Sequence, residues 1–218
     1  MLFNFESPNS GLRLKTFSVG PLQCNCSILW DTTTSEGILI DPGADFPKIQ
    51  KEIEAVGAKI KYIVHTHAHF DHIGASNESR QWTQAPLCLH PEDRFLWENV
   101  AMQGQLFGMK TSALPSWNED LEHEKDFSMG GLKLTTLFTP GHTPGSCSFA
   151  MENLVFAGDT LFLGSIGRTD LWGGNFDQLS SSVKTRLYQL DEDTTVICGH
   201  GPNTKIGIEK RSNPFVQV

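Results

Sequence analysis

The chain has 218 residues, a net charge of −8, and 39% hydrophobic and 19% charged residues. These values are typical of a folded globular protein and exclude a disordered one. The acidic balance argues against a nucleic-acid partner, whose phosphates need a basic surface, and no apolar run approaches the roughly 20 residues that cross a bilayer.

The N-terminal third of the chain predicts strands that alternate with helices. Its first residues lack the basic start and apolar stretch of a secretory signal, so we expect a cytoplasmic protein. Asp45 is predicted to cap a helix whose apolar residues recur on one face until Gly57 ends it. Strands are predicted at residues 12–19, 26–30, 36–40, 60–64 and 86–89, and further helices at 73–84 and 91–102.

Four histidines and an aspartate follow the strand at 60–64, within the segment His65-Thr66-His67-Ala68-His69-Phe70-Asp71-His72. Residues two apart point to the same side of an extended chain, so His65 and His67 are expected to converge on one metal ion. As the chain turns into a helix, Asp71 and His72 are expected to hold a second ion. Neutral imidazoles with one carboxylate suit zinc, and also iron or manganese.

The second half of the chain predicts strands whose ends carry further candidate ligands. These ligands are His142, Asp159 and His200. Residues 103–126 show weak periodicity and are interpreted as a variable loop or insertion. Strands are predicted at 132–138, 147–151, 154–157 and 195–198, and helices at 177–190 and 206–210. Strands followed by a helix in each half, with no linker between them, predict one domain over residues 1-218 with two packed sheets and helices outside.

The ligand-bearing motifs together resemble the metallo-β-lactamase superfamily. The segment at 67–72 looks like its H-x-H-x-D-H motif, and residues 141–146, 158–162 and 167–170 look like its glyoxalase II (hydroxyacylglutathione hydrolase) group. The ending at 199–204 is similar to the short bacterial members, which lack the C-terminal helical domain. The resemblance implies a four-layer αββα sandwich of two mixed sheets packed face to face.

The resemblance also implies a division of the ligands between two metal ions. By position, His65, His67 and His142 would bind the first ion, and Asp71, His72 and His200 the second. Asp159 would bridge the two ions. Asp41 is either a neighbour that accepts a ligand imidazole N–H or a simple turn residue before Pro42. His69 is left outside this ligand set and is expected to line the site.

The implied activity is that of a binuclear hydrolase, with zinc preferred over iron or manganese. It would cleave a small-molecule thioester derived from glutathione, such as S-lactoylglutathione, by metal-activated hydroxide, with Asp71 and Asp159 taking part in catalysis. Arg168 either anchors a substrate carboxylate or is held by Asp170. Phe162 and Trp172 are expected to form an apolar rim, with core packing an alternative for Phe162. We expect a monomer or small homo-oligomer with no membrane partner.

Other activities remain open on the sequence. A related persulfide dioxygenase shares the motifs but uses one iron, and a hydrolase of another ester or lactone would use the same ligands. β-Lactamase activity is disfavoured by the glyoxalase-like motifs and the start of the chain. A metal-storing module would need a closed coordination shell, whereas two ions on these ligands leave room for substrate. The five cysteines are expected to be reduced and buried.

Overall fold

A computed structural model describes residues 2–7 and 10–217 of the chain. The predicted four-layer αββα architecture is confirmed: two mixed sheets pack face to face, and helices cover their outer faces. The first sheet contains strands β1 to β7, at Leu2–Glu6, Leu12–Val19, Cys24–Asp31, Glu36–Ile40, Lys59–Val64, Leu87–Leu89 and Glu119–Asp120. The second contains β8 to β11 at Asp126–Met129, Leu132–Phe138, Cys147–Met151 and Leu154–Gly158, with β14 at Thr195–Cys198 and β15 at Thr204–Lys205.

Helices and a small hairpin complete the structure. The hairpin pairs β12 at Leu161–Phe162 with β13 at Ser165–Ile166. Helices α1 to α7 lie at Phe46–Val56, Phe70–Ile73, Ser76–Thr83, Arg94–Glu98, Val100–Leu106, Phe176–Thr185 and Ile206–Ser212. Short 3₁₀ turns lie at Pro91–Asp93 and Leu187–Gln189. None of the helices in the described ranges has the length and apolar character that crossing a membrane requires.

The connections of the first sheet bring several strand ends to one edge. Strands β1 to β4 pair antiparallel, whereas β4 to β7 pair parallel in sequence order. Parallel neighbours need a crossover, and helices lie in the connections after β4 and β5. The carboxyl ends of β4 and β5, which carry Asp41 and the histidine segment, therefore lie side by side.

Alternation along the strands builds the layers. In β2, Leu12 and Leu14 face the second sheet, while Phe17 and Val19, of opposite parity, face the helices. Strand β11 behaves alike: Leu154 and Phe156 join the core between the sheets, and Val155 and Ala157 pack against α6 and α7. A period of two with both faces apolar is what a strand buried on both sides requires.

Asn25 joins the two sheets at the edge where the ligand-bearing strands end. Its backbone N–H donates to Gly199 O at 2.8 Å, and its side-chain amide donates to Cys198 O at 2.9 Å and Gly201 O at 3.0 Å. The loop after β14 is thereby fastened to β3. His200, a candidate ligand, lies in this loop. It is therefore held at the edge of the first sheet although it follows a strand of the second.

Most predicted elements lie where expected, with local differences. The helix predicted at 73–84 is divided into α2 and α3, and the one at 91–102 into a 3₁₀ turn, α4 and α5. Asp45 does not cap α1: its Oδ2 accepts from the Gly20 N–H at 2.8 Å instead. The segment 103–126, interpreted as a loop, contains the end of α5 and strand β7. Strand β1 was not anticipated.

Candidate metal centre

The histidine segment is held in an extended path by side chains from three other elements. Asp41 accepts from the Thr66 N–H at 2.7 Å, Asp93 from the Ala68 N–H at 2.8 Å, and the Gln103 amide oxygen from the Phe70 N–H at 3.2 Å. Alternate residues are thus fixed through their backbone. The side chains between them, His67 and His69, are buried at the ligand cluster.

Seven side chains converge in three overlapping groups, each with potential ligand atoms within 4.8 Å of one another. His67 and His72 each belong to two groups. They occur together in one group, whose third member is Asp159. The groups are His67 with His69 and His142, His67 with His72 and Asp159, and Asp71 with His72 and His200.

Asp159 lies between the two outer groups. Its Oδ1 is 3.5 Å from His72 Nε2, and its Oδ2 is 3.6 Å from His142 Nε2 and 3.7 Å from His200 Nε2. One carboxylate therefore reaches imidazoles of both outer groups. This is the geometry that a bridge between two cations requires.

The structure does not bring His65 to this cluster. The His65 ring is fully buried outside the cluster. Its Nδ1 lies 2.9 Å from Cys88 O, and its Nε2 lies 2.8 Å from Ser76 Oγ. Both ring nitrogens already have hydrogen-bond partners, so neither offers a free lone pair. His69 stands in its place: His69 Nδ1 is 2.9 Å from His142 Nε2. The group of side chains that could hold metal therefore differs from the expected ligand set by this one exchange, His69 for His65.

Hydrogen bonds at Nδ1 orient three of the imidazoles. The Nδ1 of His72 lies 2.9 Å from Asp41 Oδ2, that of His142 2.8 Å from Arg168 O, and that of His200 3.0 Å from Leu22 O. Each partner is an acceptor, so each Nδ1 carries the proton and each Nε2 presents a lone pair to the cluster. Asp41 thus lies beside the imidazole of a candidate ligand, His72, and accepts its N–H, which is one of the two roles considered for it from the sequence.

Several polar atoms at the cluster fit a cation better than they fit one another. The Nε2 atoms of His72 and His200 face each other at 3.2 Å, so a cation, either a proton or a metal ion, must separate their lone pairs. Within the described ranges, the buried His67 Nε2, His69 Nε2 and Asp159 Oδ1 have no hydrogen-bond partner. Buried polar atoms are rarely left unpaired. Imidazole and carboxylate donors in this arrangement suit divalent zinc, iron or manganese.

The electrostatics of the cluster also favour added positive charge. Burial holds the pKa of His67 and of His69 well below the usual value, so both rings are neutral ligands at pH 7. Burial opposes charge on His72 as well, yet the surrounding acidic groups raise the pKa of His72 well above its usual value. The cluster therefore attracts a cation, either a proton or a metal ion.

A profile of the Metallo-beta-lactamase superfamily matches residues 19–200, which include all seven clustered side chains. The chain belongs to this superfamily. It is 37% identical over 212 residues to hydroxyacylglutathione hydrolase GloC of Haemophilus influenzae, with 94% of this chain and 98% of that protein covered. Superfamily membership and the side-chain geometry together support the binding of divalent metal.

Two solved structures of the superfamily resemble this chain along almost its whole length. The BLEG-1 B3 metallo-beta-lactamase superposes with a TM-score of 0.87 at 36% identity, covering 94% of this chain and all of that one, 100%. TTHA1623 in a di-iron-bound form superposes with a TM-score of 0.85 at 36% identity, covering 92% and 99% of the two chains.

A two-lobed cleft opens beside the cluster and gives a small molecule access to it. Both lobes have volumes of about 260 Å³, and Leu22, Phe70 and Asp71 line both. The Trp172 lobe is lined further by His69, Gln103, Phe107, Arg168, Leu171 and Trp172. The Lys110 lobe is lined further by Val19, Pro21, Ala44, Met109, Lys110 and Thr111.

The structure divides the residues expected to bind substrate. Trp172 and Arg168 line the Trp172 lobe. The Arg168 guanidinium is also held by both oxygens of the exposed Asp170, at 2.7 and 2.8 Å, as one of its two interpretations expected, whereas the anchoring of a substrate carboxylate stays a prediction. Phe162 packs, half-buried, against the core under the second sheet and lines neither lobe.

Three residues that organise the site were missed in the sequence. Gln103, fully buried, donates to Ala68 O at 3.0 Å and accepts from Phe70. Asp93 accepts from Thr143 Oγ1 at 2.9 Å and Gly145 N at 2.6 Å as well as from Ala68, so it ties the loop of His142 to the histidine segment. The third, His69, was expected to line the site but not to join the ligand group, although its spacing from His67 was the available signal.

Proposed function

We propose that this chain is a binuclear metal-dependent thioesterase that cleaves S-acylglutathione, with S-lactoylglutathione as the representative substrate. The observation that carries the proposal is the convergence of the seven imidazole and carboxylate side chains in overlapping groups beside an open cleft. The similarity to a hydroxyacylglutathione hydrolase over 94% of the chain supports the choice of substrate.

The proposed ligand assignment follows the three groups. His67, His69 and His142 would hold one ion, and Asp71, His72 and His200 the other. Asp159 would be shared, since its oxygens face imidazoles on both sides. We propose zinc as the preferred metal, with iron as the alternative because a related structure contains two irons.

The chemistry can be divided between metal and protein. Two bound divalent ions would lower the pKa of water and polarise an acyl carbonyl. The protein keeps the imidazoles in the tautomer that presents Nε2, through Asp41, Arg168 O and Leu22 O. Phe70 and Leu22 make the floor of the cleft apolar at the point where the lobes meet. A thiolate leaves without protonation because its parent thiol has a pKa of about 8.5.

No cysteine of the chain is suited to act as the nucleophile. All five are free and buried. Burial raises the pKa of Cys24, Cys88 and Cys198 to about 12, so their thiolates are scarce at neutral pH. A reactive cysteine would instead be accessible and have a lowered pKa. Water is therefore the nucleophile that the site favours.

The proposal is tested by hydrolysis of S-lactoylglutathione, followed at the thioester absorbance, with metal content measured in parallel. We expect turnover that a chelator abolishes and that zinc restores. Asp159→Ala and His67→Ala should lose both turnover and metal, whereas Asp193→Ala, which removes an exposed carboxylate paired with Lys205, should retain both. Near-normal turnover of either ligand variant would contradict the binuclear assignment.

A β-lactam is the second candidate substrate, because BLEG-1, a B3 metallo-beta-lactamase, superposes with a TM-score of 0.87. Hydrolysis of nitrocefin under the same conditions distinguishes the two. Turnover of nitrocefin without S-lactoylglutathione would replace the thioesterase by a β-lactamase. Oxygen consumption with glutathione persulfide and one iron per chain would replace it by a persulfide dioxygenase.

A further inference from the structure

The Lys110 lobe has no role in the metal chemistry, yet it adjoins the reacting centre. It shares Leu22, Phe70 and Asp71 with the Trp172 lobe, so the two lobes meet beside the ligand Asp71. A thioester whose carbonyl lies at that meeting point has two arms, one on each side of the carbonyl. The cleft therefore offers a separate lobe to each arm.

The segment after α5 is folded back so that it forms one wall of this lobe. Gly104 makes the return possible: a Cβ there would lie 2.7 Å from Thr111 Oγ1 and 3.0 Å from Met109 O. The Met109 N–H donates to Gly104 O at 2.8 Å, and the Thr111 hydroxyl donates to Val100 O at 2.9 Å. Lys110 is held between these two anchored residues at the rim of the lobe.

Lys110 differs from the other cation of the cleft, Arg168, in having no partner among the described residues. Its ammonium has neither an ion pair nor a hydrogen bond to any residue of the described ranges. Arg168, the cation of the Trp172 lobe, is engaged by both oxygens of Asp170. In a chain with a net charge of −8, an unpaired lysine at the rim of a cleft is a local attraction for an anion.

We propose that the Lys110 lobe binds the carboxylate-bearing arm of the substrate, with Lys110 as its anion-binding residue; this inference rests on the proposed thioesterase function. A lactoyl group is short and uncharged, so the arm that carries carboxylates is the thiol-derived arm. The apolar side chains of Val19, Pro21 and Met109 would contact the methylenes of that arm. Lys110 thereby selects thioesters whose thiol-derived arm carries carboxylates.

Binding is tested first with S-hexylglutathione, a thioether that cannot be hydrolysed, by titration calorimetry on metal-loaded protein. We expect Lys110→Ala to weaken its Kd about fivefold and Lys110→Glu to weaken it further, because an exposed ion pair contributes up to about 1 kcal/mol. Lys110→Arg should stay close to wild type. Lys184→Ala serves as the matched control, because Lys184 is exposed on α6 and lines neither lobe.

Kinetics then separate binding of the anionic arm from the chemistry. For S-lactoylglutathione, Lys110→Ala should raise KM about fivefold and leave kcat unchanged. For S-lactoyl-N-acetylcysteamine, which has the same acyl group on an uncharged thiol, the variant should match wild type. Equal losses on both thioesters, or changes below twofold in both Ala and Glu variants, would overturn the assignment of Lys110.

The two failures can be told apart. Wild-type protein that binds S-hexylglutathione through Lys110 but hydrolyses neither thioester would overturn the thioesterase and leave the binding lobe in place. If wild type and Lys110→Ala hydrolyse both thioesters with the same KM, the binding lobe is overturned and the thioesterase stays in place.

Discussion

Asp41 Oδ2 lies 2.9 Å from His72 Nδ1, and both side chains are buried. The same carboxylate accepts from the backbone N–H and the hydroxyl of Thr66. One residue therefore sets the tautomer of His72 and the path of the segment that carries His67. It does so from a turn with φ of 51°, which asparagine and aspartate tolerate better than most residues.

The first prediction is that Asp41→Asn weakens metal binding without unfolding the protein. An amide can turn its NH₂ toward His72 Nδ1, which makes Nδ1 an acceptor and moves the proton to Nε2. We expect about a 10- to 100-fold loss of metal affinity. Competition titration with a chromophoric chelator measures it, and ¹⁵N NMR of the ring reports the tautomer.

Asp45→Asn is the control for this substitution. Asp45 also has a positive φ, of 55°, but its Oδ2 accepts from the Gly20 N–H instead of orienting a histidine. The Asp45→Asn variant should therefore retain wild-type metal affinity. Equal affinity in the Asp41 and Asp45 variants would show that the tautomer of His72 is not set by Asp41.

The second prediction separates His65 from His69. His65→Ala should cost about 2–5 kcal/mol of unfolding free energy, because Cys88 O and Ser76 Oγ lose their buried partner and a cavity forms beside Trp97. The folded variant should still bind the full metal content. His69→Ala should lose metal and turnover with a smaller change in the stability of the metal-free protein. Metal analysis and urea unfolding of both variants decide this, and the reverse pattern would restore His65 as a ligand.

The third prediction concerns pH. Burial raises the pKa of the Asp93 carboxyl to about 6, above the value of about 3.9 in an unfolded chain. Because the folded state holds this proton more tightly, the stabilising contribution of Asp93 is complete below about pH 4 and is lost as pH rises through about 6. A pKa difference of about two units between the folded and unfolded states corresponds to about 3 kcal/mol of unfolding free energy.

Asp93→Asn removes this titration. In metal-free protein, the difference in unfolding free energy between wild type and variant should shrink as pH rises from 4.5 to 7.5. Urea unfolding across that range measures it. A difference that stays constant or grows with pH would mean that the three hydrogen-bond donors outweigh the burial of this carboxylate.

The fourth prediction is that Gly199→Ala disrupts the site without removing a ligand. A Cβ at this position would collide with Asp159 Oδ1 and lie 3.0 Å from His72 Cε1. We expect at least a tenfold loss of metal affinity, since displaced ligands hold metal poorly. Gly131→Ala is the matched control, because a Cβ there meets nothing within 4 Å. Similar affinity for both variants would contradict the close packing around Asp159.

Sequence reasoning could predict the layers because their pattern is local. Unbroken apolar runs, as at Ile38 to Ile40, identify strands buried on both faces. The β12–β13 hairpin and the division of 73–84 into two helices are only local refinements of this layered arrangement. Of the two caps expected for α1, the C-terminal one at Gly57 is confirmed, whereas the N-terminal one at Asp45 was wrong because the N–H of Gly20, 25 residues earlier in the chain, donates to its carboxylate. A local pattern does not record such a competitor.

The error at His65 has a similar cause. His65, His67 and His69 have the same parity, so a period of two cannot tell which pair faces the metal. What decides it is where the chain leaves the sheet: the His65 N–H still donates to Cys88 O, which keeps the ring under α3. Asp93 escaped notice because its partners, Ala68 and Thr143, lie 25 and 50 residues away.

The bond network of Asn25 has a consequence for how the protein is made. The candidate ligands span residues 67 to 200, and the last is fixed only when the loop after β14 is fastened to β3. A chain still emerging from the ribosome holds at most an incomplete set, so the group that contains His200 can be completed only after synthesis has passed residue 200. Occupation of that group would then report that the two sheets have docked.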